Sequence, residues 1–153
     1  MQLSLHAEYA LRVLLYVGSR PGVVVSTEEI SRVYQISRNH LVRVVQTLGE
    51  LGYLSIRTGR SGGVSLAMEP HLIRLGDVVS RAEPSLRLAE CFDTETNTCV
   101  ITPICTLKPV LNKALGAFLS TLNEYTLADL LAHGAQRKFA AAFVNISRRS
   151  REM

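Results

Sequence analysis

Between Leu5 and Val17 apolar residues recur at helical spacing, at Leu5, Tyr9, Ala10, Val13, Leu14 and Val17, and Pro21-Gly22 follows. That spacing predicts a helix over 4–18 with one buried face. Ser26-Thr27-Glu28-Glu29 has the form of a capping box, with the Ser26 hydroxyl accepting from the Glu29 N–H and the Glu29 carboxylate reaching back, so a short helix is expected over 27–34. Gln35-Ile36-Ser37 leaves room only for a turn, and Ser37 caps a further helix with Leu41, Val44, Val45, Leu48 and Leu51 as its stripe and Gly52 as its stop. Two short helices joined so tightly make a helix-turn-helix. Two β-rich runs, 53–57 and 64–67, flank Thr58-Gly59-Arg60-Ser61-Gly62-Gly63, whose glycines permit a hairpin tip. A hairpin in that place is a wing, with Arg60 and Ser61 at its end.

Ile73, Leu75, Val78, Val79 and Ala82 predict another helix, stopped before Pro84. From Glu83 to Ile104 the period is lost over a stretch too long for an idle connection. The longest helix is expected over 106–124, where Leu107, Leu111, Ala114, Phe118 and Leu122, flanked by Val110, Leu115 and Leu119, make a face wider than one small core needs. It reads as a two-fold dimer interface. Thr126 and Asp129 cap a short helix over 127–132, ended by Gly134. Beyond it, Phe139 to Phe143 would form a turn or two, and Arg148, Arg149 and Arg151 a frayed, solvated tail. The expected fold is therefore mostly α with a small β-hairpin wing. It divides into a winged helix-turn-helix DNA-binding domain at 1–83, a cysteine-bearing loop at 84–105, a dimerisation helix with a short capping helix at 106–134, and a basic C-terminal tail at 135–153.

Charge sharpens this picture. The net charge of the 153 residues is only +4, but five arginines fall within 32–62 against Glu50 alone. Positive charge concentrated on the helix-turn-helix and wing suits a polyanion. The second helix of such a motif enters the major groove by its N-terminal end, here Ser37, Arg38, Asn39 and His40. Asn39, Arg43 and Gln46 share one face of it, and Arg with Asn or Gln is the pairing that bridges guanine and adenine edges. Arg60 and Ser61 would reach the minor groove or a phosphate. A symmetric dimer would read an inverted repeat in double-stranded DNA. No apolar run approaches the roughly 18 to 20 residues of a membrane span. Glu8 and Arg12 interrupt the apolar start, and no small-residue cleavage site follows it, so a mature cytoplasmic protein is expected.

All three cysteines, Cys91, Cys99 and Cys105, lie within the unpatterned stretch. An odd number without an export signal argues for metal or redox chemistry over a disulfide framework. Thiolates suit zinc and iron-sulfur clusters alike; the wide spacings differ from the close pairs of structural zinc and fit a cluster, four-iron more than two-iron. Buried unligated thiols are the remaining reading. Three sulfurs leave one iron of a four-iron cluster with another ligand, the corner a small reactive molecule would attack. His6, His40, His71 and His133 are scattered and read as surface or capping residues. No catalytic triad, hydrolase metal motif or phosphate loop is present, which counts against an enzyme.

SRNHLVRVVQTLGELGYL, TGRSGGVSL, IRLGDVVSRAEP and CVITPICTLKPVL together resemble the NsrR-type nitric-oxide-sensing repressors, in the winged-helix family that also contains the iron-sulfur regulator IscR. The likeness runs over residues 1 to about 131. It implies a homodimeric repressor at inverted repeats, a cluster on Cys91, Cys99 and Cys105, and release of DNA when nitric oxide nitrosylates the iron. It also implies that Glu8, standing where the family more often has Asp, is a fourth ligand reaching from the partner subunit. The alternative for Glu8 is an ion pair with Arg12, four residues on. The other readings are an IscR-like redox or iron-supply regulator, an enzyme using a cluster iron as Lewis acid, and a zinc-stabilised interaction module.

Overall fold

The computed structural model describes residues 2–59, 62–132 and 134–152, and only the backbone of Asn145 and 147–152. Helix α1 (Leu5–Gly18) starts where Ser4 Oγ accepts from the Ala7 N–H at 3.2 Å. It is the axis of the molecule, packed by later helices on several sides. Its buried arc is consequently wider than one stripe: Tyr16 is fully buried, whereas Leu5, expected on the buried face, is 53% exposed.

Helices α2 (Thr27–Tyr34) and α3 (Arg38–Glu50) form the helix-turn-helix. Ser26 caps α2 as expected, accepting from the Glu29 N–H at 3.1 Å. The Glu29 carboxylate turns to α1 instead of back to its own cap, accepting from the Tyr16 hydroxyl at 2.8 Å and from the Arg20 guanidinium. Burial, and then that carboxylate, push the Tyr16 hydroxyl well above its ordinary pKa. The turn itself is bound by Ser31, whose hydroxyl donates to the Ile36 carbonyl at 2.7 Å, with Gln35 at φ 54 where glycine would be free of strain. Buried Ile36 pins it to the core.

Strands β1 (Leu54–Arg57) and β2 (Gly63–Leu66) pair antiparallel, Leu54 opposite Leu66, and a bridge from Val64 to Val25 ties the wing to the approach of α2. A Cβ on Gly49 would lie 2.6 Å from Ile56 Cδ1, so the end of α3 sits directly on the wing and a larger residue there would move the Ile56 side chain. Arg60 and Ser61, expected at the tip, lie outside the described residues, as does His133.

Helix α4 (Leu75–Ala82) has no cap of its own; the Asn123 side chain, from the end of α5 (Leu107–Asn123), accepts from the Asp77 N–H at 2.8 Å and donates to the Asp77 carboxylate at 3.0 Å. A Cβ on Gly76 would come within 2.5 Å of the Leu119 carbonyl oxygen, so the two helices touch backbone to backbone. Helix α6 (Leu127–Leu131), with the expected Thr126/Asp129 capping box, buries Leu127 and Leu131 against α1 at Gly18. A single hydrophobic core runs through α1 to α4, the wing and α6.

Two expectations change in the C-terminal half. The broad face of α5 divides: Leu115, Phe118, Leu119 and Leu122 are half-buried, whereas Leu107 and Val110 are 59% and 61% exposed, and no residue of α5 is fully buried. Residues read as a basic tail are helical, as α7 (Ala135–Glu152). Phe143 is buried with its ring centroid 4.6 Å from that of Tyr16 and 5.6 Å from that of Tyr34, so α7 lies across α1 and α2. Paired aromatic rings outweigh the charge that made the segment look solvated. Burial pushes the Tyr34 hydroxyl up to about 12.

Candidate nucleic-acid interface and cysteine loop

Helix α3 is sharply two-sided. Leu41, Val44, Val45 and Leu48 are buried, and Ser37, Arg38, Asn39, His40, Arg43 and Gln46 are all exposed. Ser37 Oγ accepts from the His40 N–H at 3.4 Å, fixing the helix start. Arg38 faces a crevice shared with the start of α2 and with Arg57 and Gly59 of the wing. The structure thus brings the candidate base readers onto one arc and sets the wing beside them. It also adds a residue the sequence reading passed over: Val42, 38% exposed on the same arc. The available signal was its place outside the buried stripe.

The opposite end of α3 is tied to α1, with His6 Nε2 hydrogen-bonded to Thr47 Oγ1 at 3.1 Å. Glu8, half-buried on α1, forms an ion pair with Arg12, so within one chain the pairing at helical spacing is what the carboxylate does.

The cysteine loop leaves α4 at Glu83, whose carboxylate accepts from the Ser4 N–H at 3.0 Å, and returns at α5. Its order comes chiefly from its own polar side chains. Asp93, almost fully buried, accepts from the Thr96 hydroxyl at 2.7 Å and the Glu95 N–H at 3.1 Å, and pairs with Arg87. The Thr96 hydroxyl, then the Glu95 N–H, with Arg87 contributing less, hold its carboxyl below the usual carboxylate range. Asn97 accepts from the Cys99 N–H at 3.2 Å and donates to Thr102 Oγ1 at 3.0 Å. Asx and Thr turns supply local bonds here that hydrophobic periodicity does not register.

Cys91 is buried in a 3-10 turn, Cys99 and Cys105 are half-buried, and all three are free. Three unpaired thiols on one segment fit, in kind and number, the donor set of an iron-sulfur cluster or another soft metal centre. Among the described residues no three His, Cys, Asp or Glu side chains converge on one point, so the loop in this conformation carries the three thiols without gathering them. Between Cys99 and Cys105 the segment exposes apolar side chains, Val100 91%, Ile101 53% and Ile104 82% exposed, and Leu107 and Val110 of α5 follow. Among the described residues no helix is long and apolar enough to cross a membrane.

A winged helix-turn-helix with an exposed arginine and amide face defines a DNA-binding regulator by its construction. Comparison agrees: the model of the Rrf2 family, described as an iron-dependent transcriptional regulator, matches residues 3–133. The chain is 46% identical to the HTH-type transcriptional regulator NsrR of Bacillus subtilis (strain 168), over 86% of this chain and 90% of the relative. It is 46% identical to NsrR of Halalkalibacterium halodurans, over 87% of this chain and 92% of the relative. Among solved structures, T. potens IscR shares the fold with a TM-score of 0.68 at 24% identity, covering 89% of this chain and 91% of that one. CymR, the global cysteine regulator of B. subtilis, does so with a TM-score of 0.66 at 23% identity, covering 85% and 95%. The chain belongs to the Rrf2 family and is a transcriptional regulator, not an enzyme. Helix α7 begins beyond the residues that the family model matches.

Proposed function

We propose that the protein is a cytoplasmic homodimeric repressor that holds an inverted-repeat operator and releases it in response to nitric oxide. The observation that carries the reading is that every cysteine of the chain is a free thiol on the one segment joining α4 to α5. Cys91, Cys99 and Cys105 would hold an iron-sulfur cluster, more readily four-iron than two-iron, and Glu8 of the partner subunit is the candidate for the fourth ligand. Bound there, the cluster would supply an iron open to attack by a small reactive gas.

The chain's own residues carry the rest. Arg38, Asn39, Arg43 and Gln46 face outward to read bases, with Ser37 and His40 at the helix start and Arg60 and Ser61 at the wing tip for groove or phosphate contacts. Closing three thiols around one centre must draw the 91–105 loop together, and that loop runs into the exposed stripe of α5, proposed as the dimer face. Asn123 caps α4 from the far end of α5, so a shift of α5 is felt at α4 and, through the shared core, at α3. The spacing of two reading helices is what a dimeric reader depends on.

The test is a nitric oxide titration of anaerobically purified protein, followed by absorption and Mössbauer spectra and by mobility shift on DNA sites selected with that protein. Operator release is expected to track loss of the iron-sulfur spectrum. Cys91→Ala, Cys99→Ala and Cys105→Ala should lose both signals. Colourless, iron-free protein that still releases DNA with nitric oxide would refute the sensing mechanism. An oxidant or iron chelator that works where nitric oxide does not would favour the IscR-like alternative, which the IscR fold neighbour keeps in view.

A further inference from the structure

We propose that Val42 is a specificity-determining residue that reads the methyl group of a thymine in the major groove; this rests on the DNA-reading role of α3 proposed above. The outward arc of α3 is polar at Arg38, Asn39, Arg43 and Gln46, and Val42 interrupts it with an apolar side chain 38% exposed. It stands four residues after Arg38, three after Asn39 and four before Gln46, which places it between them on the helix surface. The fold has little use for a valine there. The core side of α3 is already filled by Leu41, Val44, Val45 and Leu48, and a β-branched residue lowers helix propensity at an exposed site.

A major-groove reader gives the position a use. Thymine alone among the four bases presents a methyl group in the major groove, and small apolar side chains are its partners. Valine carries two methyls on a stiff χ1, so they are aimed in advance and little freedom is lost on contact. The neighbouring amides and guanidiniums can bridge adenine and guanine edges, and none of them distinguishes thymine by its methyl. Val42 would therefore add to the recognition code a letter that the polar residues cannot supply.

The experiment exchanges thymine for deoxyuridine, which lacks only the methyl. Binding sites are first enriched from random duplex DNA with the full-length, anaerobically purified protein. Each thymine of the preferred site is then replaced in turn, and affinities are measured for the unaltered protein and for Val42→Ala and Val42→Ser. At one thymine per half-site, loss of the methyl should weaken the unaltered protein roughly fourfold, the worth of about one buried methylene. The same replacement should leave Val42→Ser unchanged and affect Val42→Ala, which keeps one methyl, less than the unaltered protein, and thermal melts should confirm that both variants fold. If every deoxyuridine affects the unaltered protein and the variants equally, the assignment is overturned while DNA reading stands. If no site is enriched at all, the DNA-reading role fails and the assignment falls with it.

Discussion

Asp93 is the residue on which the cysteine loop turns. Its carboxylate gathers Thr96, Glu95 and Arg87, where no hydrophobic cluster could hold the chain. Because these partners favour the charged form, its folded pKa lies below the unfolded value of about 4. The stability it contributes is complete above that unfolded value and is lost as pH falls through the lower folded one. Protection of the Glu95 and Thr96 amides, taken relative to the unstructured exchange rate at the same pH, should accordingly be full at neutral pH and fall in acid below about pH 4. Asp93→Ala, which removes both acceptor oxygens, should lack that protection across the whole range, and equal protection in that variant would remove Asp93 from the role. At the same scale, Glu29 shows how a sequence motif can be half right. Its N–H is capped by Ser26 as the pattern requires, but its carboxylate finds Tyr16 and Arg20, partners that no local motif can announce.

Among the elements, α7 has the most measurable consequence. Phe143 brings it onto Tyr16 and Tyr34, the same aromatic pair that joins α1 to α2. Phe143→Ala should cost about 3 kcal/mol in urea unfolding, as removal of a buried aromatic side chain commonly does. A loss near zero would mean that α7 adds nothing to the core. The element was hard to read because its aromatic positions lie among alanines, arginines and a lysine, so its large apolar residues are only Phe139, Phe143, Val144 and Ile146. What buries Phe143 is a surface made by helices more than a hundred residues earlier. The helix-turn-helix was easy for the opposite reason. Its caps, stripe and stop all act within a few residues, where periodicity and hydrogen-bonding chemistry decide the outcome.

For the molecule as a whole, Val100, Ile101, Ile104, Leu107 and Val110 are large apolar side chains left exposed within eleven residues of one another in sequence. In the proposed dimer they are covered by a second copy, since exposed apolar side chains grouped in this way mark an interface. Val110→Asp should shift the protein from dimer to monomer in sedimentation and weaken binding to an inverted repeat by tenfold or more, as loss of the second reading head removes the gain from linked sites. Unchanged sedimentation would locate the interface elsewhere.

Short-range physics let the sequence determine the order of helices, the wing, the reading face and the single loop that bears the thiols. Caps and stripes depend on neighbours three or four residues away, and soft sulfur donors declare their chemistry by composition. Only the tertiary structure decided that α7 docks, that Glu29 serves α1, that Asn123 caps α4 and that Val42 stands outward among the polar residues proposed to read bases. Each of those depends on which distant surfaces meet, and a linear pattern holds no distance between them.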